Sequence, residues 1–379
     1  MGTRVDINTD LLTWAIQRAG YEVDAFLLDY PKVQAWLDQK KQPTVRQLED
    51  FAHRVHIPFG YLLLREPPVQ RVPIPYFRTQ GGLTDTVSLN VYETVNNLQR
   101  RQDWLVSYLE EQGADPLVFV GKYSVESGFQ RIVSDIRETL QLSEDWATSQ
   151  SGKGAAINVL TERVEAAGII TSFSSYVGSQ TQRKIPLDEC RGFVLVHPLA
   201  PFLFVNSADA KSAQLFTLLH ELAHIWIGKS AGFDNSQLLP ANDPEERLCD
   251  QVAAEFLVPA ELFRRNWAEN SSIKKLARMF KVSPIVIARR ALDLGEIDKN
   301  GFFGFYNAYR QELRDIKTKR KERKNSGGDY YATARRRVSP TFAAYIHQAV
   351  KENNLLYRDA YRLTGLSGNT FQEFMSKSL

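Results

Sequence analysis

The stretch FTLLHELAHIWIG, residues 216–228, decides the fold of this chain. Within it, His220 and His224 are four residues apart, so on a helix they lie on one face, one turn apart. Two imidazoles in that position can bind one Zn²⁺ at about 2.0–2.1 Å each. Glu221 lies between them and can reach a water in the open position of the metal, where it would act as general base. The stretch therefore predicts a metal-binding helix that ends at Gly228.

A third metal ligand is predicted in PEERLCDQVAAEFLVP, residues 244–259, which also has the pattern of a helix. Glu246 and Asp250 share an edge of its apolar stripe, one turn apart. Because unpaired buried carboxylates are costly, acids in this position need a partner. We expect Glu246 to be the third ligand and Asp250 to orient a ligand histidine by a hydrogen bond. Glu245 is the alternative ligand, and in a further alternative the acids are solvated on the helix surface.

The two motifs together resemble the ImmA/IrrE-type zinc metallopeptidases. The resemblance rests on FTxxHExAH at residues 216–224 and on ExxCDxxAAEFLVP at residues 246–259. It implies a zincin-like core with Glu221 as general base and with a zinc ion held by His220, His224 and Glu246. Cys249 replaces the more usual alanine, a small apolar change that affects none of these roles.

The bulk properties exclude several classes of protein. The 379 residues suffice for two or three domains, and the net charge of +3 is nearly neutral. No apolar run approaches the 18 residues of a membrane helix, and the N-terminus lacks the apolar segment of a signal peptide. Cys190 and Cys249 are too few for a disulfide framework. We therefore expect a cytoplasmic protein with no membrane partner.

The patterns along the chain predict an α+β fold that is mostly helical and has three parts. Residues 1–68 form a helix-turn-helix-like bundle. Residues 69–298 form a zincin-like peptidase core with a small sheet and a following helix-turn-helix-like lobe. Residues 299–379 form a basic linker and a small helical C-terminal unit. Strands are expected near residues 168–173, 191–197 and 202–206, and such a sheet can offer an edge strand to an extended peptide. His197 lies at the end of one strand, where a lone histidine is usually structural.

The N-terminal bundle resembles the Xre-type helix-turn-helix. That resemblance places the recognition helix near residues 31–39, where Lys32 and Gln34 are candidates to contact a base edge or a phosphate. Residues 1–66, however, hold eight Lys/Arg against nine Asp/Glu. Because phosphate contacts dominate affinity for DNA, a module with this charge lacks the usual electrostatic advantage. A bundle that contacts protein or mediates dimerisation is the alternative.

A basic stretch covers residues 317–337, with nine Lys/Arg against two Asp/Glu. Such a run is usually a solvated surface, but this density also suits nucleic acid or an acidic partner. The DNA-binding candidates in it are Lys319, Arg320, Lys321, Arg323 and Lys324.

The resemblance implies a zinc-dependent endopeptidase fused to a helix-turn-helix module. Its expected substrate is a partner protein, commonly a DNA-binding repressor, which is cleaved after a stress or phage-related signal. The alternative is a DNA-binding regulator or antitoxin-like protein whose metal site is structural or rarely active. A water-accessible fourth metal position favours the enzyme, and a closed position favours the regulator. The substrate, the oxyanion-stabilising residue and the oligomeric state stay open at this point.

Overall fold

The computed structural model describes residues 3–70, 72, 77–78, 82–83, 87–233, 243–320 and 329–378. The chain divides into two compact units. The first comprises Met1–Pro73 and Thr84–Asn96, and the second comprises Ile74–Leu83 and Asn97–Leu379. Among the described helices, none combines the length and the apolar character needed to cross a lipid bilayer.

The first unit is a helical bundle. Its helices are α1 (Thr9–Arg18), α2 (Val23–Asp29), α3 (Pro31–Leu37), α4 (Val45–Arg54), the 3-10 helix Phe59–Leu63 and the first part of α5 (Leu89–Glu111). A capping box fixes the start of α4, because Thr44 and Gln47 each accept a hydrogen bond from the other's backbone N–H. Only Tyr30 separates α2 from α3, whereas a helix-turn-helix usually has a turn of about three or four residues.

The second unit contains the remaining helices. These are the rest of α5, α6 (Phe129–Leu140), α7 (Lys153–Ala166), α8 (Lys211–Ile227), α9 (Pro244–Leu257), α10 (Ala260–Glu269), α11 (Ile273–Met279), α12 (Pro284–Asp293), α13 (Lys299–Arg320), α14 (Tyr330–Val338), α15 (Pro340–Lys351), α16 (Tyr357–Thr364) and α17 (Gly368–Ser378). The largest apolar core in the described residues surrounds α8 and α9, which pack against each other. The predicted mostly helical α+β class agrees with this arrangement.

A four-stranded sheet packs against α8. Its strands are β3 (Ile170–Ser174), β4 (Gly192–Leu195), β5 (Phe202–Asn206) and β6 (Ala231–Phe233), in the order β3-β5-β4-β6. Strands β3 and β5 are parallel, while β4 is antiparallel to both β5 and β6. The hairpin expected from residues 191–197 and 202–206 is β4–β5. A separate two-stranded ribbon, β1 (Phe77–Arg78) and β2 (Gly82–Leu83), belongs to this unit, and its β1 lies close to β6.

The C-terminal helices are attached to this sheet. Helix α14 packs along β3, which is an edge strand. Its end is held by the carbonyl oxygen of Arg337, which accepts hydrogen bonds from Ser172 Oγ at 2.8 Å and from Arg101 Nη1 at 3.1 Å. The buried Glu165 carboxylate accepts from the backbone N–H and the hydroxyl of Thr341 at the start of α15. These polar contacts cover an edge that would otherwise expose unpaired backbone groups.

Glycine at position 192 allows β4 to lie close to α8. A Cβ at Gly192 would lie 2.4 Å from Thr217 Cγ2, 2.9 Å from the Phe204 carbonyl oxygen and 3.1 Å from Glu221 Oε1. Each distance is shorter than a normal van der Waals contact, and one of the atoms is backbone. A side chain here would therefore force β4 and α8 apart.

We predict that Gly192→Ala lowers the free energy of unfolding by about 1–3 kcal/mol, because overpacking displaces α8. Gly154→Ala is the matched control, since a Cβ at this helical glycine meets nothing within 4 Å. The control should be neutral or stabilise by up to about 1 kcal/mol. Urea unfolding followed by circular dichroism measures both changes, and equal stability of the two variants would contradict the close packing.

Candidate metal centre

Helix α8 is buried along almost its whole length. Every residue from Gln214 to Ile227 is buried, as expected for a helix that is mostly apolar on all sides. The helix ends where the sequence predicts, at Gly228, whose φ of +75° is favoured by glycine. The indole N–H of Trp226 donates to Asp135 Oδ2 at 2.7 Å. These contacts fix the position of α8 along its own axis. They therefore also fix where His220, Glu221 and His224 lie in the core.

Helix α9 begins so that Glu246 faces α8. Asp243 caps the helix, because its Oδ1 accepts from the backbone N–H groups of Glu245 and Glu246 at 2.9 and 3.3 Å. Glu245 points elsewhere and forms an ion pair with Lys229. Of the two glutamates considered as third ligand, the structure therefore places Glu246 beside the histidines.

Three potential metal ligands converge between α8 and α9. His220 Nε2 lies 3.1 Å from Glu246 Oε2 and 3.3 Å from His224 Nε2, and His224 Nε2 lies 3.3 Å from Glu246 Oε1. Ligands at about 2.0–2.1 Å from a tetrahedral ion are roughly 3.3–3.4 Å apart. All three residues are buried, and His220, His224 and Glu246 can hold a metal ion with one atom each.

Asp250 contacts the triad from its outer side. Its Oδ1 lies 3.0 Å from His220 Nδ1, the ring nitrogen that faces away from the other two ligands. A carboxylate in this position accepts a hydrogen bond from Nδ1–H. This keeps the proton on Nδ1 and leaves Nε2 available as a ligand. The structure thus brings Asp250 to the position that was predicted for an orienting group.

The electrostatics of the triad follow from burial and from close opposite charges. Burial disfavours a charged His220, but its hydrogen bonds to Asp250 and Glu246 outweigh burial and raise its pKa to about 10. Burial tends to raise the pKa of Glu246, but its hydrogen bonds to His220 and His224 lower that pKa well below the usual range. Burial lowers the pKa of His224. Without a metal, the triad therefore holds a buried ion pair between protonated His220 and ionised Glu246.

Glu221 lies beside the triad in a water-excluded position. The residue is fully buried, and neither carboxylate oxygen has a hydrogen-bond partner among the described residues. Burial raises the pKa of Glu221 well above its usual value. An unpaired buried carboxylate is costly, so this arrangement indicates a group whose natural partner is a bound molecule.

The DNA-binding candidates do not join this site. Lys32 and Gln34 are exposed on α3, and the Gln34 side-chain amide donates to Asp38 Oδ1 at 2.7 Å. The other candidates belong to the basic stretch at the end of α13. Lys319 and Arg320 lie in the last turn of this helix, and their side chains are not described. Lys321, Arg323 and Lys324 lie outside the described residues.

His197 has a local structural contact. Its Nδ1 accepts a hydrogen bond from the backbone N–H of Leu199 at 3.2 Å, within the β4–β5 turn. Cys190 and Cys249 are both buried thiols. None of these three residues belongs to the triad.

Two residues that position the site were absent from the sequence predictions. Gly192 allows close approach to Glu221, and a glycine inside a strand pattern is a recognised signal of close backbone approach. Asp135 holds Trp226 and lies far from α8 in the sequence. No local pattern could have revealed that contact.

We predict that metal binding releases about one proton or more at pH 7.5, since a ligand histidine must be neutral while metal-free His220 has a pKa of about 10. Metal affinity should then rise with pH through the neutral range. Isothermal titration in two buffers of different ionisation enthalpy counts the protons. The Asp250→Asn variant should release fewer protons when it binds metal, because it lacks a carboxylate that raises the pKa of His220. Identical heats in both buffers for the wild type would contradict this assignment.

Two parts of the chain match known family models. Residues 178–292 match Peptidase_M78, described as the IrrE N-terminal-like domain. Residues 338–377 match a domain of unknown function, DUF8813. A comparison with curated proteins gives no match to the chain. The first match spans α8 and α9 and therefore includes His220, His224 and Glu246. It supports the resemblance to ImmA/IrrE-type peptidases over this segment and points to a metallopeptidase.

Proposed function

We propose that this chain is a zinc-dependent endopeptidase in which zinc is held by His220, His224 and Glu246. The observation that carries the proposal is the triad of donors 3.1–3.3 Å apart with the unpartnered Glu221 carboxylate beside it. A purely structural zinc site is usually closed by four protein ligands. Among the described residues only three convergent ligands are present, which supports a catalytic rather than a structural site.

The mechanism assigns a separate role to each side chain. Zinc supplies Lewis acidity, which polarises a carbonyl and lowers the pKa of a water. Glu221 accepts the proton of the attacking water and passes it to the leaving nitrogen. The positive charge of a bound metal would favour the ionised form of Glu221 and so counteract the effect of burial on its pKa. Asp250 keeps His220 in the tautomer that presents Nε2.

The substrate that fits this site is an extended segment of a protein. Of the two edges of the sheet, β3 is covered by α14, so β6 is the edge we propose for strand addition by a peptide. Ribbon strand β1 lies close to β6, and Glu221 is fully buried. We therefore propose that a peptide reaches the site after local rearrangement. This supports a regulated peptidase that cleaves one partner protein, such as a transcriptional repressor.

For the N-terminal unit we propose a contact with protein rather than with bases. Asp38 accepts from Gln34 and pairs with Lys40 at 2.8 Å, so a carboxylate lies beside the predicted base-reading side chain. A carboxylate close to phosphate opposes binding. The turn between α2 and α3 is also only one residue long, which differs from the three- or four-residue turn of a DNA-binding helix-turn-helix.

We predict about one zinc ion per chain in protein purified without chelator. Glu246→Ala should abolish stoichiometric zinc, because two histidines alone retain it poorly. Glu245→Ala is the matched control, since the neighbouring glutamate pairs with Lys229 and should leave the zinc content unchanged. Asp250→Asn should weaken zinc binding about 10–100-fold. Elemental analysis measures the content, and loss of zinc in the Glu245 variant instead would reverse the ligand assignment.

We predict that Glu221→Gln keeps zinc and fold but loses proteolysis, because glutamine has the size of glutamate and cannot accept the proton. The test is to co-express each form with proteins encoded by neighbouring genes and to identify cleavage fragments by mass spectrometry. Glu245→Gln, the same change at a glutamate that pairs with Lys229, serves as the matched control and should keep proteolysis. Cleavage at the wild-type rate by the Glu221 variant would exclude Glu221 as the base.

A further inference from the structure

A group of buried cations lies at the end of β3, away from the metal centre. Arg337 and Arg101 are only 4% and 7% exposed. Arg336 is half-buried, with its guanidinium carbon 4.3 Å from the centre of the Phe173 ring, and that of Arg337 lies 5.9 Å from the centre of the Tyr176 ring. The basic stretch of the sequence therefore does not end as a solvated surface, because its last two arginines fold into the core.

These cations have no acidic partner among the described residues. Arg191 pairs with Asp209 nearby, but Arg101, Arg336, Arg337 and Lys211 form no ion pair with any described Asp or Glu. Their charges instead act on one another. Burial lowers the pKa of Arg101 to about 10, and the charge of Arg337 contributes. Burial lowers the pKa of Lys211, and the charge of Arg336 contributes. Several positive charges therefore share one neighbourhood.

The unpartnered atoms of Arg337 have the geometry of an anion fork. Its Nε and Nη2 are both buried and lack a hydrogen-bond partner in the part of the chain that the structure describes. These two nitrogens lie on the same edge of the guanidinium, so their N–H bonds run parallel and match two oxygens of one oxyanion. Nη2 of Arg336 is also buried, again without a partner among the described residues. Buried donors of this kind need an acceptor, and the described residues do not provide one.

The helix dipole compensates these charges only in part. Arg336 and Arg337 lie in the last turn of α14, where the helix C-terminus favours cations. That effect falls off within the last turn and is modest per charge. It is small compared with the cost of burying an unpaired ion.

We propose that Arg337, Arg336 and Arg101, with Lys211 as a further cation, bind a small phosphate-type dianion. Several adjacent positive charges favour a doubly charged anion over a carboxylate. The depth of Arg337 excludes the backbone of a nucleic acid, whose phosphates could not reach it, so the ligand is inorganic phosphate or the terminal phosphate of a small molecule. Lys211 is the first residue of α8. The anion would thus connect α14 to the helix that carries the metal ligands.

The test is isothermal titration of the full chain with sodium phosphate, against sodium chloride of matched ionic strength. Wild type should bind phosphate with about 1:1 stoichiometry. Arg337→Gln and Arg336→Gln should each bind at least about tenfold more weakly. Arg335→Gln is the matched control, because it removes the same charge from an exposed position of the same helix, and its affinity should equal that of wild type.

Thermal unfolding in the same solutions provides a second measurement. Phosphate should raise the unfolding midpoint of wild type and Arg335→Gln more than chloride does, and this difference should vanish in Arg336→Gln. If Arg337→Gln fails to fold, Lys211→Gln takes its place, with weaker binding expected. No phosphate binding by wild type, or an equal loss in Arg335→Gln, would overturn the proposal. Equal binding by all variants would also overturn it, since the anion would then lie elsewhere.

Discussion

The structure depends on one constraint, which is that two imidazoles and two carboxylates meet inside an apolar core. His220, Glu221, His224 and Glu246 are all buried between α8 and α9. Each carboxylate in such a place costs several kcal/mol unless it finds a partner. The contacts at 3.1–3.3 Å within the triad satisfy this requirement for Glu246 but not for Glu221. Much of the surrounding fold serves to hold these groups at fixed separations and to exclude water from them.

The local elements of the site could be predicted from the sequence because they follow from helical periodicity. His220, His224, Glu246 and Asp250 are related within each helix by steps of four residues, and such residues share a face in any α-helix. The end of α8 at Gly228 followed from the conformational freedom of glycine. The choice between Glu245 and Glu246 also depended on which face of the helix each residue occupies. Only Glu246 has an acidic residue, Asp250, four positions later, and Glu246 is the glutamate that faces α8.

The tertiary contacts could not be predicted in the same way. Trp226 and Asp135 are joined across 91 positions, and no pattern in either segment indicates the other. The sheet order, in which β5 lies between β3 and β4, depends on the parallel pairing of β3 with β5, two strands that β4 separates in the sequence. Similarly, Arg336 and Arg337 read as part of a solvated charge run, because a sequence gives their charge but not their burial. The helical periodicity of a sequence predicts which residues share one face of a helix. It does not predict which other element packs against that face.

The C-terminal helices illustrate how packing links the parts of the second unit. Strand β3 bonds to β5 on one side only, so its other edge needs a cover, and α14 supplies it. The same sheet supports α8 through β4 and β5. Glu165 fixes the start of α15, and Ser172 fixes the end of α14. Strands β3 and β5 therefore link the C-terminal helices to the helix that carries His220 and His224, because α14 packs on β3 while α8 packs on β5.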